Sequence, residues 1–481
     1  MYQSTLGAAW ERRFVCLGRR AIPAALVFVV NSAWAQAPAA AAACDPAPAT
    51  AASVQGTVET QRVGNAQWQP VKLNDKFCPG DTIRVGEKSR ADIALLNQSV
   101  LRLNANSTIT VETPKERRTG VVGLLRGATH VLSRGPNSLE VQTPFTLAGV
   151  RGTEFLLSVD ANAAAITVFE GTVVAENPAG TLALADGQSA IAERGKAPVA
   201  AIVARPRDAV QWTLYYPPVL YFSPDEFPAG SDWRGNVRTS LAAYSKGDVT
   251  GAFAALQGVP PDVSDPRFFT YRAHLSLMVG RVDDARADID RALKLAPNDP
   301  NAASLQVIVD IVVGDKDKAF ATAQRTVAAV PNSATAWIAL SYAQQARFDL
   351  PGARQSLEKA VELAPQNALA WARLAEIQSS FGEMKLTLAA AQKAVAADPN
   401  LSRTQMVLGF AYLIQIKTTE ARDAFEKAIA LDQADPMSRL GLGLAKIRTG
   451  NLDEGGRDLE IAASLDPNNS DVLRREALAA R

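Results

Sequence analysis

The chain contains little of the chemistry that most enzymes and metalloproteins use. Its 481 residues include three cysteines and only two histidines, His130 and His274. No Cys/His cluster has the spacing of a zinc site, no Gly-Lys-Ser/Thr phosphate loop occurs, and Ser133 and Ser189 lack the glycines of a nucleophile elbow. We therefore expect no catalysis, no cofactor and no metal ion. A glycan-processing enzyme is the alternative, because paired carboxylates can be far apart in sequence.

The chain also lacks an excess of charge and, after residue 35, any long hydrophobic run. Lys and Arg number 50 against 49 Asp and Glu, so the composition does not predict nucleic-acid binding. No later segment reaches the roughly 18 uninterrupted apolar residues of a membrane helix. With 47% hydrophobic and 21% charged residues, the chain is typical of globular proteins with two or three domains.

Residues 1–35 have the layout of a secretory signal. Arginines precede an apolar run at 21–30, and Ala33-Trp34-Ala35 fits a small-x-small cleavage site. We expect cleavage after about Ala35 and export to the periplasm, with an uncleaved anchor as the alternative.

Cys44 and Cys78 remain after that cleavage, and we expect them to pair in an oxidising compartment. In the chain-entropy model such a bond would stabilise the fold by about 3–4 kcal/mol. Free thiols, or a lipid on Cys44, are the alternatives.

Composition divides the mature chain into regions. Residues 36–52 are rich in alanine and proline and predict a disordered leader. From about 53 to 199, apolar residues alternate with polar ones, as at Ile93 and Leu95 or along 141–147, and turn signals separate the runs. This pattern predicts short strands in an all-β domain, an antiparallel roll or sandwich.

Residues 200–232 combine prolines with many aromatic residues, which a solvated linker would not carry. We expect this segment to attach the β domain to the first helical unit; a binding patch is the alternative. The aromatic residues are Trp212, Tyr215, Tyr216, Tyr221, Phe222 and Phe227.

From residue 233 the apolar pattern is helical and repeats every 34 residues, which is typical of stacked helical units. Prolines recur at Pro297, Pro331, Pro365, Pro399 and Pro467, where Gln433 is the one exception. Full units are predicted to begin at Pro266, Pro300, Ala334, Ala368, Ser402 and Pro436, after one degenerate unit. The pattern predicts an all-α solenoid of about seven units over 233–469 and a capping helix at 470–481.

These columns resemble the tetratricopeptide repeat (TPR). The bulky first-helix position holds Phe269, Trp337 and Trp371, and the leucine position holds Leu340, Leu374, Leu408 and Leu442. The pattern departs from the family at Gln405, Gln433 and Arg439. The resemblance implies a superhelix whose concave wall binds a protein partner.

The residue types on that wall indicate what it would bind. Family members that grip a C-terminal carboxylate often carry asparagine at the ninth position of a unit, and none stands there in this chain. We predict an apolar groove that takes a hydrophobic or amphipathic helical segment; the alternative is that its residues face neighbouring units or a second copy. The candidate groove residues are Ile308, Ile338, Tyr342, Met406, Phe410, Leu440 and Leu444.

The region 141–171 resembles the FecR family of envelope regulatory domains. The stretch Val150-Arg151-Gly152-Thr153-Glu154-Phe155 carries the resemblance. Complete family members have a cytoplasmic anti-sigma segment before a membrane helix, and we expect none here because only about twenty residues precede the apolar run. Arg151 and Glu154 are predicted to tie a turn to the sheet through hydrogen bonds, with a charged binding site as the alternative.

Together these features predict an exported, non-enzymatic adaptor. The β domain would recognise an envelope ligand, a glycan or a protein, and the TPR superhelix would bind a protein partner. One alternative is a sensory component that acts in trans with a membrane regulator. The other is the glycan-processing enzyme.

Overall fold

A computed structural model describes residues 44–113, 120–133, 139–150, 152–201, 211, 213–222 and 226–466. These residues form a strand-rich domain followed by a run of helices, which confirms the predicted fold class. The expected signal peptide, most of the leader and the expected cap at 470–481 lie outside the described residues. Within the described ranges no helix is both long and apolar enough to cross a membrane.

The β domain contains seventeen strands in the described ranges. They are β1 (Ala49–Gln55), β2 (Val58–Gln61), β3 (Trp68–Pro70), β4 (Lys76–Phe77), β5 (Thr82–Val85), β6 (Arg90–Leu95), β7 (Val100–Leu103), β8 (Thr108–Val111), β9 (Gly120–Ser133), β10 (Leu139–Gln142), β11 (Leu147–Val150), β12 (Thr153–Val159), β13 (Ala163–Glu170), β14 (Val173–Asn177), β15 (Gly180–Leu184), β16 (Ser189–Glu193) and β17 (Val199–Ala201).

The strands form two sheets that share β9. One has the order β4-β1-β6-β7-β9-β12-β13-β16-β17. The other has the order β3-β2-β5-β8-β9-β10-β11-β14-β15, in which only the β9–β10 pair is parallel. At Gly127 β9 passes from one sheet to the other with φ +89°, and a Cβ there would lie 2.4 Å from Ser107. Only glycine fits this crossing.

Both sheets enclose one core that contains Phe77, Ile93 and Phe155. The alternation along 141–147 is broken, however, by a turn between β10 and β11. There the Thr143 hydroxyl accepts the N–H groups of Phe145 and Thr146, so one predicted strand is two. Such local threonine hydrogen bonds compete with a strand ladder.

The predicted end of the disordered leader at residue 52 is wrong, because β1 already begins at Ala49. Ala49, Ala51 and Ala52 are buried, and β1 pairs with β6. Alanines pack inside the domain without giving the contrast between large apolar and polar residues that marks a strand.

Fourteen helices follow in the described ranges. They are α1 (Trp233–Tyr244), α2 (Val249–Leu256), α3 (Pro266–Met278), α4 (Val282–Leu295), α5 (Pro300–Val312), α6 (Lys316–Ala329), α7 (Ala334–Ala346), α8 (Leu350–Leu363), α9 (Ala368–Ser380), α10 (Met384–Ala397), α11 (Ser402–Ile414), α12 (Thr418–Leu431), α13 (Pro436–Arg448) and α14 (Leu452–Leu465). The six unit starts derived from the 34-residue period are the first residues of α3, α5, α7, α9, α11 and α13.

The residue before a unit explains this agreement, because it often caps the helix. Asp265, Asp299 and Asp435 accept backbone N–H groups of the first turn, and each precedes a proline at the first helical position. Between helices, small residues allow close packing. A Cβ on Gly409 or Gly441 would lie 2.6 or 2.2 Å from the ring of Phe425.

The three departures from the repeat pattern have structural reasons. Gln405 stands where other units have tryptophan and donates to the Pro399 carbonyl at 2.7 Å, as Trp371 does to Pro365 at 2.8 Å. Gln433 and Arg439 contact the β domain instead. Gln433 accepts the N–H of Val54 at 2.9 Å, and Arg439 donates to the carbonyl of Ala52 at 2.8 Å.

Candidate functional site

The helical array curls until its first unit meets its sixth. Gly247, in the turn between α1 and α2, lies beside the end of α12, where a Cβ would be 3.1 Å from the carbonyl oxygen of Ala430. The β domain contacts both ends of this curl, since Thr57 lies 3.4 Å from Thr250 and Val54 contacts Gln433. The first helices of the units therefore line the interior of this curl.

Residues 213–222, here called the inner segment, pass through this interior and contain no α-helix or strand. Leu214, Tyr216, Val219 and Leu220 belong to one apolar cluster with first-helix residues. The Pro217-Pro218 pair fixes an extended backbone and has no N–H groups that would need acceptors in an apolar interior. The cluster's first-helix members include Leu305, Ile308, Ile338 and Tyr342.

The inner segment covers part of the predicted groove. Ile308 and Ile338 are 1% and 0% exposed, and the Tyr342 hydroxyl lies 3.5 Å from the Pro218 carbonyl oxygen. Met406 and Leu440 are buried mainly between neighbouring units, whereas Phe410 and Leu444 are half-buried. The seven residues thus do not form one continuous open groove. In its first part an extended segment of the same chain takes the place of the helical ligand that we predicted.

Two buried arginines of the β domain hold the start of the inner segment. Arg102 pairs with Asp92 at 2.6 Å and donates to the carbonyl of Thr213 and, at 3.2 Å, to that of Leu465. Arg90 donates to the carbonyls of Leu214 at 3.4 Å and Met278 at 3.3 Å. Met278 and Leu465 end α3 and α14, where the helix dipole favours a cation.

Burial, and then the neighbouring Arg102, lowers the pKa of Arg90 to about 10, so its guanidinium stays charged at neutral pH. The sequence alternation did not identify either arginine, because a charged residue in a strand usually faces solvent.

Beside the inner segment the interior contains an open cavity of about 790 Å³, here called the groove cavity. Tyr215 and Pro217 form one wall, and side chains of α5, α7, α9, α11 and α13 form the others. Those used below are Ile311, Val312, Tyr342, Phe348, Arg373, Ala375, Glu376, Arg403, Met406 and Phe410.

The floor of the groove cavity carries a buried charge cluster. Glu376 accepts from Arg373 at 2.7 Å and from Arg403 at 2.8 Å, and the Arg373 guanidinium lies 3.9 Å from the centre of the Tyr342 ring. Burial raises the pKa of Glu376, but the two arginines outweigh it and hold the value below its ordinary range. Asp435 also interacts with Arg403, and burial raises its pKa.

One edge of the groove cavity is formed by Phe348, which is 86% exposed and has φ +63°. The equivalent positions of other units hold Gly280, Gly314, Gly382 and Gly450, all with positive φ, and Ile416 with φ +64°. A bulky residue is strained in this conformation, and of Phe348 and Ile416 only Phe348 lines the groove cavity.

The FecR-like stretch builds a turn of the β domain. Val150 and Phe155 belong to the core, Gly152 has φ +66°, and the Thr153 hydroxyl donates to the Thr172 carbonyl at 3.1 Å. Glu154 is buried beside His130, 3.1 Å from Nε2. Arg151 lies outside the described residues. Glu154 is therefore part of the interior of the domain and does not project from its surface.

Cys44 and Cys78 form a disulfide with a Cα–Cα distance of 5.7 Å, which ties the first described residue to the chain after β4. His274 lies in the array, and burial lowers its pKa to about 4. In the described part of the chain no three His, Cys, Asp or Glu side chains are grouped to hold a metal ion.

Comparison with known proteins identifies the first region. Residues 81–174 match the family model described as FecR protein, a span that runs from just before β5 into β14. No curated protein matches the chain significantly.

Solved structures resemble each region separately. A putative anti-sigma factor from Parabacteroides distasonis ATCC 8503 is 18% identical and matches 28% of this chain and 67% of its own (TM-score 0.25). A TPR protein from Thermus thermophilus is 21% identical over 37% of this chain and 98% of its own (TM-score 0.33). YrrB, a TPR protein with an unusual peptide-binding site, is 17% identical over 40% and 97% (TM-score 0.27).

The molecule therefore combines a FecR-type β domain with an array of seven TPR-like helix pairs in its described part. Both families are generally non-catalytic, and the combination fits a regulatory or scaffold role.

Proposed function

We propose that this protein is an exported, non-enzymatic adaptor of the bacterial envelope. Its FecR-type domain recognises an envelope glycan or protein, and its groove cavity binds a segment of a protein partner. The observation that carries the proposal is the groove cavity itself, which stays open on the concave side although the inner segment fills the adjacent part.

The walls of the groove cavity suit a peptide segment with mixed chemistry. Ile311, Val312, Ala375, Met406 and Phe410 offer apolar contacts. Its volume of about 790 Å³ is in the usual range for ligand sites.

The polar floor supplies an anchor for such a segment. Arg373 is only 3% exposed, and its Nε has no hydrogen-bond acceptor among the described residues. A buried donor without an acceptor costs free energy, so a partner group that accepted from this nitrogen after a small side-chain shift uncovered it would gain affinity.

A matched pair of variants tests the proposal. Phe410→Glu places a charge in the groove cavity, whereas Leu386→Glu makes the same kind of change at a 53% exposed position of α10 that does not line the cavity. Both tagged proteins, checked for folding by circular dichroism, would be purified from the envelope fraction, and the proteins bound to them identified by mass spectrometry. We expect a partner that is lost with Phe410→Glu and retained with Leu386→Glu. Equal partners on both folded variants would contradict the proposal.

Export is tested separately by sequencing the N-terminus of the mature protein. We expect Gln36 as the first residue, because Ala33-Trp34-Ala35 fits a cleavage site. A mature chain that keeps residues 1–35 would contradict this.

A sensory component that acts in trans with a membrane regulator is the second candidate. The contacts from Arg90 and Arg102 to the inner segment favour it, because they connect the FecR-type domain directly to the interior of the array. This candidate predicts a change in transcription on deletion and a membrane protein bound to the β domain. The adaptor predicts neither.

A further inference from the structure

We propose that the covered part of the groove is a binding surface for an extended, tyrosine- and proline-rich segment of a partner protein, and that the inner segment is its intramolecular occupant. This surface adjoins the groove cavity and shares Tyr342 with it. The two ideas can still fail independently, because Ile308→Glu tests the covered surface and Phe410→Glu tests the groove cavity.

The contacts of the inner segment are those of a bound peptide. Leu214, Tyr216, Val219 and Leu220 provide the apolar contacts to the first helices. Phe222, at the end of the segment, packs its ring edge-to-face on Tyr271 at 5.2 Å and on His274 at 5.7 Å. The surface thus accommodates two apolar stretches on either side of a proline pair.

The backbone of the inner segment is held by side chains. Arg102, Arg90 and Tyr342 approach the carbonyl oxygens of Thr213, Leu214 and Pro218, respectively. These contacts recognise backbone carbonyl groups and an extended conformation. Any segment of similar sequence would offer both features. Prolines lower the entropy that such a segment loses on binding.

Open space beside the inner segment would allow a partner segment to replace it. The groove cavity lies along Leu214, Tyr215 and Pro217, so this part of the inner segment has packed helices on one side and open space on the other. The two arginines that hold its start come from the FecR-type domain, so a ligand of that domain that moved β6 or β7 would weaken the hold. After the inner segment is released, we expect the surface to bind a partner segment of the same kind, an extended stretch with leucine and tyrosine on both sides of a Pro-Pro pair.

The first experiment supplies the occupant in trans. In one variant of the full chain, residues 213–222 are replaced by a Gly/Ser sequence of equal length. The probe is a fluorescein-labelled TLYYPPVLYF peptide with two added lysines, compared with a scrambled peptide by fluorescence anisotropy. We expect the replaced chain to bind the probe at least tenfold more tightly than the unaltered chain and at least tenfold more tightly than the scrambled peptide.

Matched changes then locate the binding. In the replaced chain, Ile308→Glu should weaken binding at least tenfold, because it puts a charge into the apolar cluster to which Leu214 and Tyr216 belong. Leu386→Glu should leave binding unchanged. A replaced chain that unfolds, or a folded one that does not distinguish the two peptides, would overturn the inference, since the inner segment would then be ordinary core.

Hydrogen exchange on the unaltered chain provides an independent measurement. We expect the amide of Leu214, which donates to the carbonyl of Gln211 at 3.2 Å, to exchange at least tenfold faster than those of buried α7 residues such as Leu340, because release of the segment does not require unfolding of the helices. Exchange of both groups at one common rate would overturn the inference. A dimer of the unaltered chain with exchanged inner segments would assign the surface to a second copy and would also overturn it.

Discussion

The concave side of the array has a covered part and an open part, built from equivalent repeat positions. Ile308, Ile338 and Tyr342 lie under the inner segment, whereas Met406 and Phe410 line the groove cavity. A repeat position therefore does not decide by itself whether a residue becomes core or binding surface. The chain segment that packs on a repeat position decides whether its residue becomes core or binding surface. Here that segment is the inner segment, and two arginines of the β domain hold it.

The largest expected effect comes from breaking the hold on the covered part. Arg102→Met leaves the Asp92 carboxylate, 0% exposed, without its ion-pair partner. We expect the free energy of unfolding to fall by about 3–5 kcal/mol, measured by urea denaturation. The double variant Asp92→Leu, Arg102→Met should recover part of the loss. Arg234→Met, which removes an exposed ion pair to Asp232, should cost far less than Arg102→Met, because solvent screens that pair. Equal losses for Arg102→Met and Arg234→Met would show that the buried pair does not hold the fold.

The second prediction compares the two parts directly. Ile338→Ala, under the inner segment, should lower the free energy of unfolding by about 2–4 kcal/mol, because the cavity it leaves is enclosed on all sides. Phe410→Ala removes a larger but half-buried side chain and should cost about 1–2 kcal/mol, because solvent already reaches it. A greater loss for Phe410→Ala would mean that Phe410 belongs to the core.

The third prediction uses pH at the boundary between the inner segment and the array. Asp432 lines a small cavity of about 100 Å³ together with Tyr215 and Leu220, and burial raises its pKa to about 6, with a further contribution from Asp435. Because this value lies above that of an unfolded aspartate, the folded state binds the proton more tightly. The ionised carboxylate thus destabilises the fold above pH 6, and the penalty disappears as the pH falls toward 4.

Asp432→Asn should therefore be more stable than the unaltered protein at pH 7.5 by about 1–2 kcal/mol, since partial exposure screens some of the effect. The difference should vanish near pH 4, as measured by denaturation at both pH values. Asp317→Asn, at a 92% exposed side chain, is the control for the Asp-to-Asn exchange itself. An Asp432→Asn gain that is the same at both pH values would contradict the assignment.

The smallest effect concerns the rim of the open part. Phe348→Gly should raise the free energy of unfolding by about 0.5–1 kcal/mol, because glycine adopts φ +63° without strain. Phe348→Ala keeps the unfavourable conformation and should not stabilise. If Phe348 contacts the partner, its glycine variant should also retain less partner in the purification experiment. A glycine variant no more stable than the alanine variant would show that the turn is not strained.

The repeat array could be predicted closely because its signals are local. The 34-residue period gave all six full unit starts, and at three of them a capping aspartate followed by a proline at the first helical position marks the same residue. The departures at Gln433 and Arg439 were visible in the sequence, but their reason was not, because their partners Val54 and Ala52 are 379 and 387 residues away.

The division of the groove into a covered and an open part could not be predicted either, because it also depends on contacts between residues that are far apart in sequence. Tyr342 meets Pro218 across 124 residues, and Arg102 meets Leu465 across 363. Aromatic residues in a linker indicate burial without telling which surface buries them. Likewise, the alternation along 141–147 identified an apolar face but not the Thr143 hydrogen bonds that divide it.

The contact between Gly247 and the end of α12 has a consequence for how this molecule can change over evolution. An open solenoid can gain or lose a unit by duplication or deletion, because each unit depends only on its neighbours. Here the loss of one unit would separate Gly247 from Ala430. The turn at Thr250 and the residue Gln433 could then no longer both contact the β domain. The number of units before α13 is therefore constrained by this contact. Proteins that evolve from this chain should change in side chains and turns before they change in the number of repeats.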